Sequence, residues 1–189
     1  MSTTKTRYDY ATALAVAEEL KELLAPACER IEIAGSLRRK LPDVGDIELL
    51  CIPEPSISFW VSVQTDELDG TIRAYMDDGL LAIRRAVNGR GTYGLYNKLL
   101  VHLPSGIPVD IFSTTLVNWG MSLVVRTGSA QFNKRMMSRF IQLGKHGHAY
   151  PTKGHGGYTD NQGQERDCPE EMDVFNALVW PYIEPENRD

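Results

Sequence analysis

Apolar positions in the first quarter of the chain follow first a helical period and then a strand period. Between Tyr10 and Leu24 they recur every three to four residues, which predicts a helix whose stripe is Leu14, Ala17, Leu20 and Leu24. The run Ile31 to Ala34 and the alternating segment Asp46 to Ile52 predict two strands instead. The chain is therefore expected to begin with a helix that backs a sheet.

The middle of the chain predicts one long helix and one hairpin. A helical stripe runs up to the stop signal at residues 88–91 and consists of Ile72, Met76, Leu80, Ile83 and Val87. Two apolar segments, Lys98 to Leu103 and Ile107 to Phe112, flank a Pro-Ser-Gly turn and predict a β-hairpin. Residues 56–70 give mixed signals and receive no assignment.

The last third predicts three helices and a small sheet. Short helices are expected over Trp119 to Arg126 and after Cys168-Pro169, and Ser129 is placed to cap a helix that reaches Leu143. Their expected buried stripes are Phe132, Met136, Phe140 and Leu143 in the long helix and Met172, Phe175 and Leu178 in the last one. The glycine-rich segment 144–164 predicts a hairpin layer. Helices and strands together predict an α+β fold.

Composition limits the class of protein. A chain of 189 residues with 42% hydrophobic content can form one compact domain or two small packed subdomains. No apolar run approaches the ~18 residues of a membrane helix, so no membrane partner is expected. Three widely spaced cysteines are typical of reduced thiols, which predicts a cytoplasmic protein. A net charge of −5 predicts weak, salt-sensitive affinity for any nucleic acid. The protein is also expected to be a monomer.

The stretch from Gly35 to Glu48 combines features that suit phosphate chemistry. Gly35 and Ser36 follow a predicted strand and form a tight turn whose backbone N–H groups can face a phosphate. Three cations come directly afterwards, at residues 38–40. Asp46 and Glu48 then alternate with Ile47, so a strand places both carboxylates on one face, where hard oxygen ligands suit Mg²⁺.

A third carboxylate lies in the second strand of the predicted hairpin. Asp110 stands between Val109 and Ile111 in an apolar strand, so it must lie in water at the strand end or have a cationic partner. An isolated Asp-x-Glu is more often a solvated strand edge than a metal site. The preceding Gly-Ser turn and basic cluster favour the metal, and three converging carboxylates could hold two cations.

Three segments resemble known proteins. Gly-Ser-x-Arg-Arg followed by Gly-Asp-x-Glu resembles the nucleotidyltransferase superfamily, in the version that family X DNA polymerases such as DNA polymerase beta carry. Residues 127–134, Thr-Gly-Ser-Ala-Gln-Phe-Asn-Lys, match that family's Thr-Gly-Ser-x-x-Phe-Asn-Lys motif, and residues 171–188 resemble the end of its thumbs. The resemblance implies a nucleotidyltransferase palm over 1–126 and a thumb over 127–189, without the family's lyase domain or fingers.

The resemblance also implies the site. Asp46, Glu48 and Asp110 would bind two Mg²⁺ ions, with Mn²⁺ as a possible substitute, and catalyse attack of a primer 3′-hydroxyl on a (d)NTP with release of pyrophosphate. Phosphates would contact Gly35, Ser36, Arg39 and Gly45. The nucleotide would also contact Thr127, Gly128 and Asn133, while Lys134 would contact the nucleic acid. A cis peptide bond between Gly128 and Ser129 is implied as well, and the expected DNA partner is a primer-template or a gapped duplex.

Two departures and three functional hypotheses remain. Val125-Arg126 replaces an aromatic pair that crowds the sugar 2′ position in many family members, which predicts weak rejection of ribonucleotides. Pro108 stands where the family often has arginine.

A minimal gap-filling DNA polymerase is the first hypothesis. Template-independent transfer to nucleic-acid ends, a small molecule or a protein is the second, and an inactive nucleotide-binding scaffold is the third.

Overall fold

The computed structural model describes residues 6–55, 66–85, 89–148 and 157–189. Its helices are α1 (Tyr10–Leu24), α2 (Gly35–Arg38), α3 (Glu67–Asp77), α4 (Trp119–Thr127), α5 (Ala130–Gln142) and α6 (Glu171–Leu178). Its strands are β1 (Tyr8–Asp9), β2 (Cys28–Ile33), β3 (Asp43–Val44), β4 (Ile47–Pro53), β5 (Leu81–Ile83), β6 (Asn97–His102), β7 (Ile107–Ser113), β8 (His146–Gly147), β9 (Tyr158–Thr159) and β10 (Glu165–Arg166). This content confirms the predicted α+β class.

The chain divides into two compact units. The first unit comprises Met1–Ile33 and Pro42–Ser113, and the second comprises Ala34–Leu41 and Thr114–Asp189. These units are defined by packing. The predicted division into palm and thumb after residue 126 rests on the resemblance and stays a prediction. In the described ranges no helix is long and apolar enough to cross a membrane.

A five-stranded mixed sheet forms the centre of the first unit. Its strand order is β2-β4-β7-β6-β5, with β4 parallel to β7 and every other neighbouring pair antiparallel. β6 and β7 form the predicted hairpin, in which His102 faces Ile107 across the turn. α1 packs against β2 and β4. The sheet therefore has one face covered by helix, which explains why alternate residues along β6 are buried.

The first predicted helix is confirmed at both ends. The Asp9 side chain accepts a hydrogen bond from the Thr12 N–H and caps α1, which ends at Leu24 just before Pro26. Its buried side chains are Ala13, Ala17, Leu20 and Leu24. Leu14, which was expected in the stripe, is half-buried, because the stripe is shifted by one residue at the start of the helix.

The long helix predicted up to Val87 is wrong. α3 ends at Asp77, and the chain turns at Gly79, which has a φ of +76°. Leu81 then pairs with His102 at the edge of the five-stranded sheet, so Ile83 belongs to a strand. Helical spacing of apolar residues continued across this boundary, but burial against the sheet decided the conformation. Val87 lies outside the described residues.

The second unit has its own core, which is built from α4, α5 and α6. The core contains Met121, Val124, Phe132, Met136, Phe140, Cys168, Val174, Phe175, Ala177 and Leu178. Ser129 caps α5 as predicted, since its hydroxyl accepts a hydrogen bond from the Phe132 N–H at 3.1 Å. The predicted hairpin layer is a small antiparallel sheet in the order β10-β9-β8.

The buried face of α6 differs from the prediction at one position. Met172 is 49% exposed, whereas the neighbouring Glu171 is buried together with Phe175 and Leu178. α4 comes so close to the start of α6 that a Cβ on Gly120 would lie 2.1 Å from the Glu170 carbonyl oxygen. A buried carboxylate at residue 171 requires partners of opposite charge, and the second unit supplies them.

Candidate functional site

Two of the three predicted carboxylates lie on adjacent parallel strands of the first unit. Glu48 of β4 is the direct register partner of Asp110 of β7. Both side chains are half-buried, and the flanking residues Ile47, Leu49, Val109 and Ile111 are buried on the other face of the sheet. Asp46 lies just before β4, two residues from Glu48. The register thus brings Glu48 beside Asp110, which lies 62 positions later in the sequence.

A guanidinium group neutralises Asp110. Arg84 Nη2 lies 2.7 Å from Asp110 Oδ1, and the two side chains are 31% and 14% exposed. Across the described residues, no group of three or more His, Cys, Asp or Glu side chains is arranged to hold a metal ion. The donor set still fits a divalent cation in chemistry, because carboxylate oxygens on neighbouring strands are the ligands that Mg²⁺ and Mn²⁺ prefer. Asp110 therefore has the cationic partner that its apolar strand demands.

The turn that begins at Gly35 belongs to the second unit. Gly35 has a φ of +63°, a conformation that glycine adopts without the steric cost of a Cβ. The four-residue helix α2 follows, with Gly35 buried and Ser36 half-buried. Gly45, which was predicted to contact phosphate as well, is buried in the first unit.

Arg38 belongs to a buried ionic network rather than to a solvated basic cluster. Its Nη1 and Nη2 atoms donate hydrogen bonds to Glu171 Oε1 and Oε2 at 2.7 and 2.8 Å. Arg188, which is fully buried, donates to the same Oε1 atom, and the Tyr182 hydroxyl donates to Oε2 at 2.9 Å. A bidentate fork is the strongest geometry for such a pair. The network joins the Gly-Ser-x-Arg-Arg segment to residues 171–188, two of the three segments that carry the resemblance.

The pKa of Glu171 shows which effect dominates in this network. Burial by itself raises the pKa of the carboxyl, but hydrogen bonds and charges from Arg38 and Arg188 outweigh it and lower the pKa from 4.5 to about 2. The carboxylate is therefore ionised at neutral pH although its side chain is only 8% exposed.

Arg39 makes two contacts within the second unit. Its side chain is 11% exposed, and its Nη1 atom donates a hydrogen bond to the Thr127 carbonyl oxygen. Its Nε atom lies 3.2 Å from Asp189 Oδ1, a carboxylate that is 64% exposed. Next to it, Lys40 forms an ion pair with Glu186. The Arg-Arg segment and the Thr-Gly-Ser segment are thus in direct contact, since the Arg38 Nη1 atom also donates to the buried Thr127 hydroxyl.

The Thr-Gly-Ser segment connects the end of α4 to the N-cap of α5, with one difference from the expectation. The described residues contain no cis peptide bond, so the Gly128–Ser129 bond is trans. A trans bond is the low-energy form for a residue other than proline, and it fits the local hydrogen bonds, in which Ser129 N–H donates to the Arg188 carbonyl oxygen. The Asn133 amide donates to the Val125 carbonyl oxygen at 2.7 Å.

Lys134 lies on a surface groove of the second unit. The groove has a volume of about 880 Å³ and is lined by Ala130, Gln131, Lys134, Arg135, Ser138, Arg139, Gln142 and Trp180. All but Trp180 come from one face of α5. The lining combines three cations with an indole ring, which is the chemistry of a surface that contacts phosphates and bases.

Some residues that shape the site were not identified from the sequence. No sequence pattern assigned a role to Arg84, and Glu171 was only the first residue of the segment that resembles the end of a thumb. The single hint for Arg84 was the requirement that Asp110 have a cationic partner. For Glu171, the hint was that its helical position lies on the same face as Phe175 and Leu178. Neither hint names the partner, because both pairs join segments far apart in the chain.

One comparison identifies part of the chain. Residues 122–189 match the family model described as DNA polymerase beta thumb. This part of the chain is therefore similar to the thumb of DNA polymerase beta, and the predicted resemblance to the family X DNA polymerases is confirmed over these residues. A search of curated proteins finds no match.

Proposed function

We propose that this protein is a nucleotidyltransferase that adds a nucleotide from a (d)NTP to a primer 3′-hydroxyl and releases pyrophosphate, as a gap-filling DNA polymerase does. The observation that carries the proposal is the parallel register of Glu48 and Asp110, with Asp46 two residues before Glu48. Like charges at facing positions of two neighbouring strands destabilise a sheet, so this pair of carboxylates supports a functional role. The thumb match supports the same class of enzyme.

In this proposal Asp46, Glu48 and Asp110 supply oxygen ligands for Mg²⁺ or Mn²⁺. When bound, such a cation lowers the pKa of an attacking hydroxyl and offsets the charge of a triphosphate. The strands hold Glu48 and Asp110 at a fixed separation, because four of their flanking residues are buried on the opposite face. No side-chain nucleophile is needed, since the hydroxyl of the primer attacks directly.

Arg39 is the residue that we assign to the phosphates, with Gly35, Ser36 and Gly45 as further contacts. A guanidinium fork suits a phosphate better than a lysine does, because it donates two parallel hydrogen bonds. Its present partner Asp189 is mostly exposed, and ion pairs of that kind contribute little free energy. A phosphate could therefore replace the Asp189 carboxylate at small cost, while the hydrogen bond to Thr127 keeps the guanidinium in place.

The thumb surface is the part that we assign to DNA. Lys134, Arg135 and Arg139 on α5 would contact the phosphate backbone, and Trp180 offers a ring on which a base can stack. A net charge of −5 means that this local positive lining works against the field of the whole protein. Affinity for DNA should consequently be weak and fall steeply with salt.

The test is nucleotide incorporation on a duplex with a one-nucleotide gap, with each labelled dNTP in turn and with Mg²⁺ or Mn²⁺. Asp110→Asn should reduce incorporation about 100-fold or more, because it removes a charge from the reacting centre. Asp77→Asn is the matched control, since Asp77 is an exposed aspartate at the end of α3 in the same unit. Incorporation that survives Asp110→Asn would contradict the assignment of the carboxylates.

A second candidate is nucleotide transfer without a template, and the net charge of −5 favours it because long duplex contacts reward a basic protein. The same assay on a bare single strand separates the two. Incorporation that follows the template base supports the polymerase, whereas incorporation of any nucleotide on either substrate supports untemplated transfer. Nucleotide binding without any incorporation would identify an inactive scaffold.

A further inference from the structure

Arg84 occupies a defined position beside the carboxylates. It directly follows β5, and its backbone N–H donates a hydrogen bond to the Leu99 carbonyl oxygen at 2.9 Å, which fixes it against β6. Leu99 is in turn the register partner of Asp110. The Arg84 side chain thus extends past β6 to reach Asp110 Oδ1 on β7 at 2.7 Å.

The charges in this row of residues conflict unless a cation is present. Glu48 and Asp110 face each other on neighbouring strands, whose separation is about 4.8 Å. Two carboxylates at facing positions repel each other, and Asp46, two residues before Glu48, adds a further negative charge to this segment. Arg84 supplies one positive charge to this group, at the Oδ1 atom of Asp110.

We propose that Arg84 is a positioning residue that competes with the divalent cation for Asp110. This inference rests on the proposed function, because it takes Asp110 as a metal ligand. A guanidinium 2.7 Å from Asp110 Oδ1 and a divalent cation held by the same carboxylate would repel each other. Metal binding is therefore coupled to release of Arg84, which offsets the charge of one carboxylate while no metal is bound.

The experiment measures binding of Mn²⁺ alone to the full chain, from the electron paramagnetic resonance signal of the free ion, without nucleotide or DNA. Arg84→Gln should bind Mn²⁺ about three- to tenfold more tightly than the unmodified protein, the range expected for loss of one partly exposed competing ion pair. Arg84→Lys keeps the charge and should stay close to the unmodified protein. Arg85→Gln is the matched control, because Arg85 is exposed and donates to the Gly89 carbonyl oxygen instead.

A double substitution tests whether the effect passes through Asp110. On an Asp110→Asn background, Arg84→Gln should no longer raise Mn²⁺ affinity, because the shared carboxylate has been replaced by a neutral amide. A merely structural role for Arg84 would change the unfolding midpoint but not this coupling. Thermal unfolding of each variant is recorded alongside.

The possible outcomes separate the inference from the function on which it rests. Mn²⁺ binding that depends on Asp110 but is unchanged or weakened by Arg84→Gln overturns the inference and leaves the proposed function standing. No Mn²⁺ binding by any variant, together with no incorporation on gapped DNA, overturns both. Tighter binding by Arg84→Gln, lost with Asp110→Asn, supports both.

Discussion

Replacement of Glu171 by glutamine should destabilise the second unit by an amount that the structure allows us to estimate. Its carboxylate accepts hydrogen bonds from Arg38, Arg188 and Tyr182 while only 8% of the side chain is exposed. The amide of glutamine keeps the shape but removes the charge and turns one acceptor into a donor that faces a guanidinium. Arg188, which is fully buried, would then lose its anionic partner.

The magnitude follows from the pKa of Glu171. A decrease from 4.5 to about 2 corresponds to about 3 kcal/mol of preferential stabilisation of the ionised form. This value agrees with the ~3–5 kcal/mol lost when one partner of a buried ion pair is removed. For a protein of this size, it should lower the melting temperature by about 6–12 °C.

The effect should also depend on pH in a specific direction. Because the pKa of Glu171 is lower in the folded state, its stabilising contribution is complete above its unfolded value of about 4.5 and is lost as the pH falls toward about 2. The difference between unmodified protein and Glu171→Gln should therefore be constant near neutral pH and shrink across that window.

Urea unfolding followed by tryptophan fluorescence provides the measurement, since Trp119 and Trp180 both lie in the second unit. Glu184→Gln is the matched control, because it makes the same chemical change at an exposed glutamate of the same C-terminal segment. A free energy of unfolding for Glu171→Gln within about 0.5 kcal/mol of that of the control would contradict this prediction. A difference between the two variants that stays the same between pH 5 and pH 2 would contradict it as well.

Two further predictions test the packing of helices and the choice of sugar. Gly120→Ala should destabilise the second unit by about 1–3 kcal/mol or more, because the added Cβ would meet the Glu170 backbone at 2.1 Å. Gly70→Ala is the control with the opposite expected sign. It lies at an exposed position in α3 with open space around it, so the substitution should stabilise the protein by up to about 1 kcal/mol. Urea unfolding should give these opposite signs, and a neutral Gly120→Ala would show that α4 can move away from α6. The rate of ribonucleotide incorporation should be within about tenfold of that of deoxynucleotides, a difference of ~1.4 kcal/mol. The reason is that Val125 and Arg126 stand where many family members have the aromatic pair that crowds the sugar 2′ position. Strong preference for deoxynucleotides in a competition assay would contradict this prediction.

Local patterns in the sequence determined most of the helices and strands and the types of side chain in the candidate site. The alternation around Ile47 and the hairpin turn at residues 104–106 were sufficient for the strands that carry Glu48 and Asp110, because a strand's period fixes which face each side chain takes. Ser129 marked the start of α5, since a cap acts within three residues of itself. The resemblance of residues 127–134 and 171–188 to a family X thumb was likewise visible in the sequence, and the thumb match over residues 122–189 confirms it.

Only the tertiary structure decided the partners and the places where local signals compete. Helical spacing continued past Asp77, yet pairing of Leu81 with His102 made the next segment a strand, because burial at a sheet edge outweighs propensity. The pairing of Arg84 with Asp110 and that of Arg38 with Glu171 join residues 26 and 133 positions apart. Charge complementarity over such distances depends on how the chain folds, so no periodicity in the sequence specifies which cation meets which carboxylate.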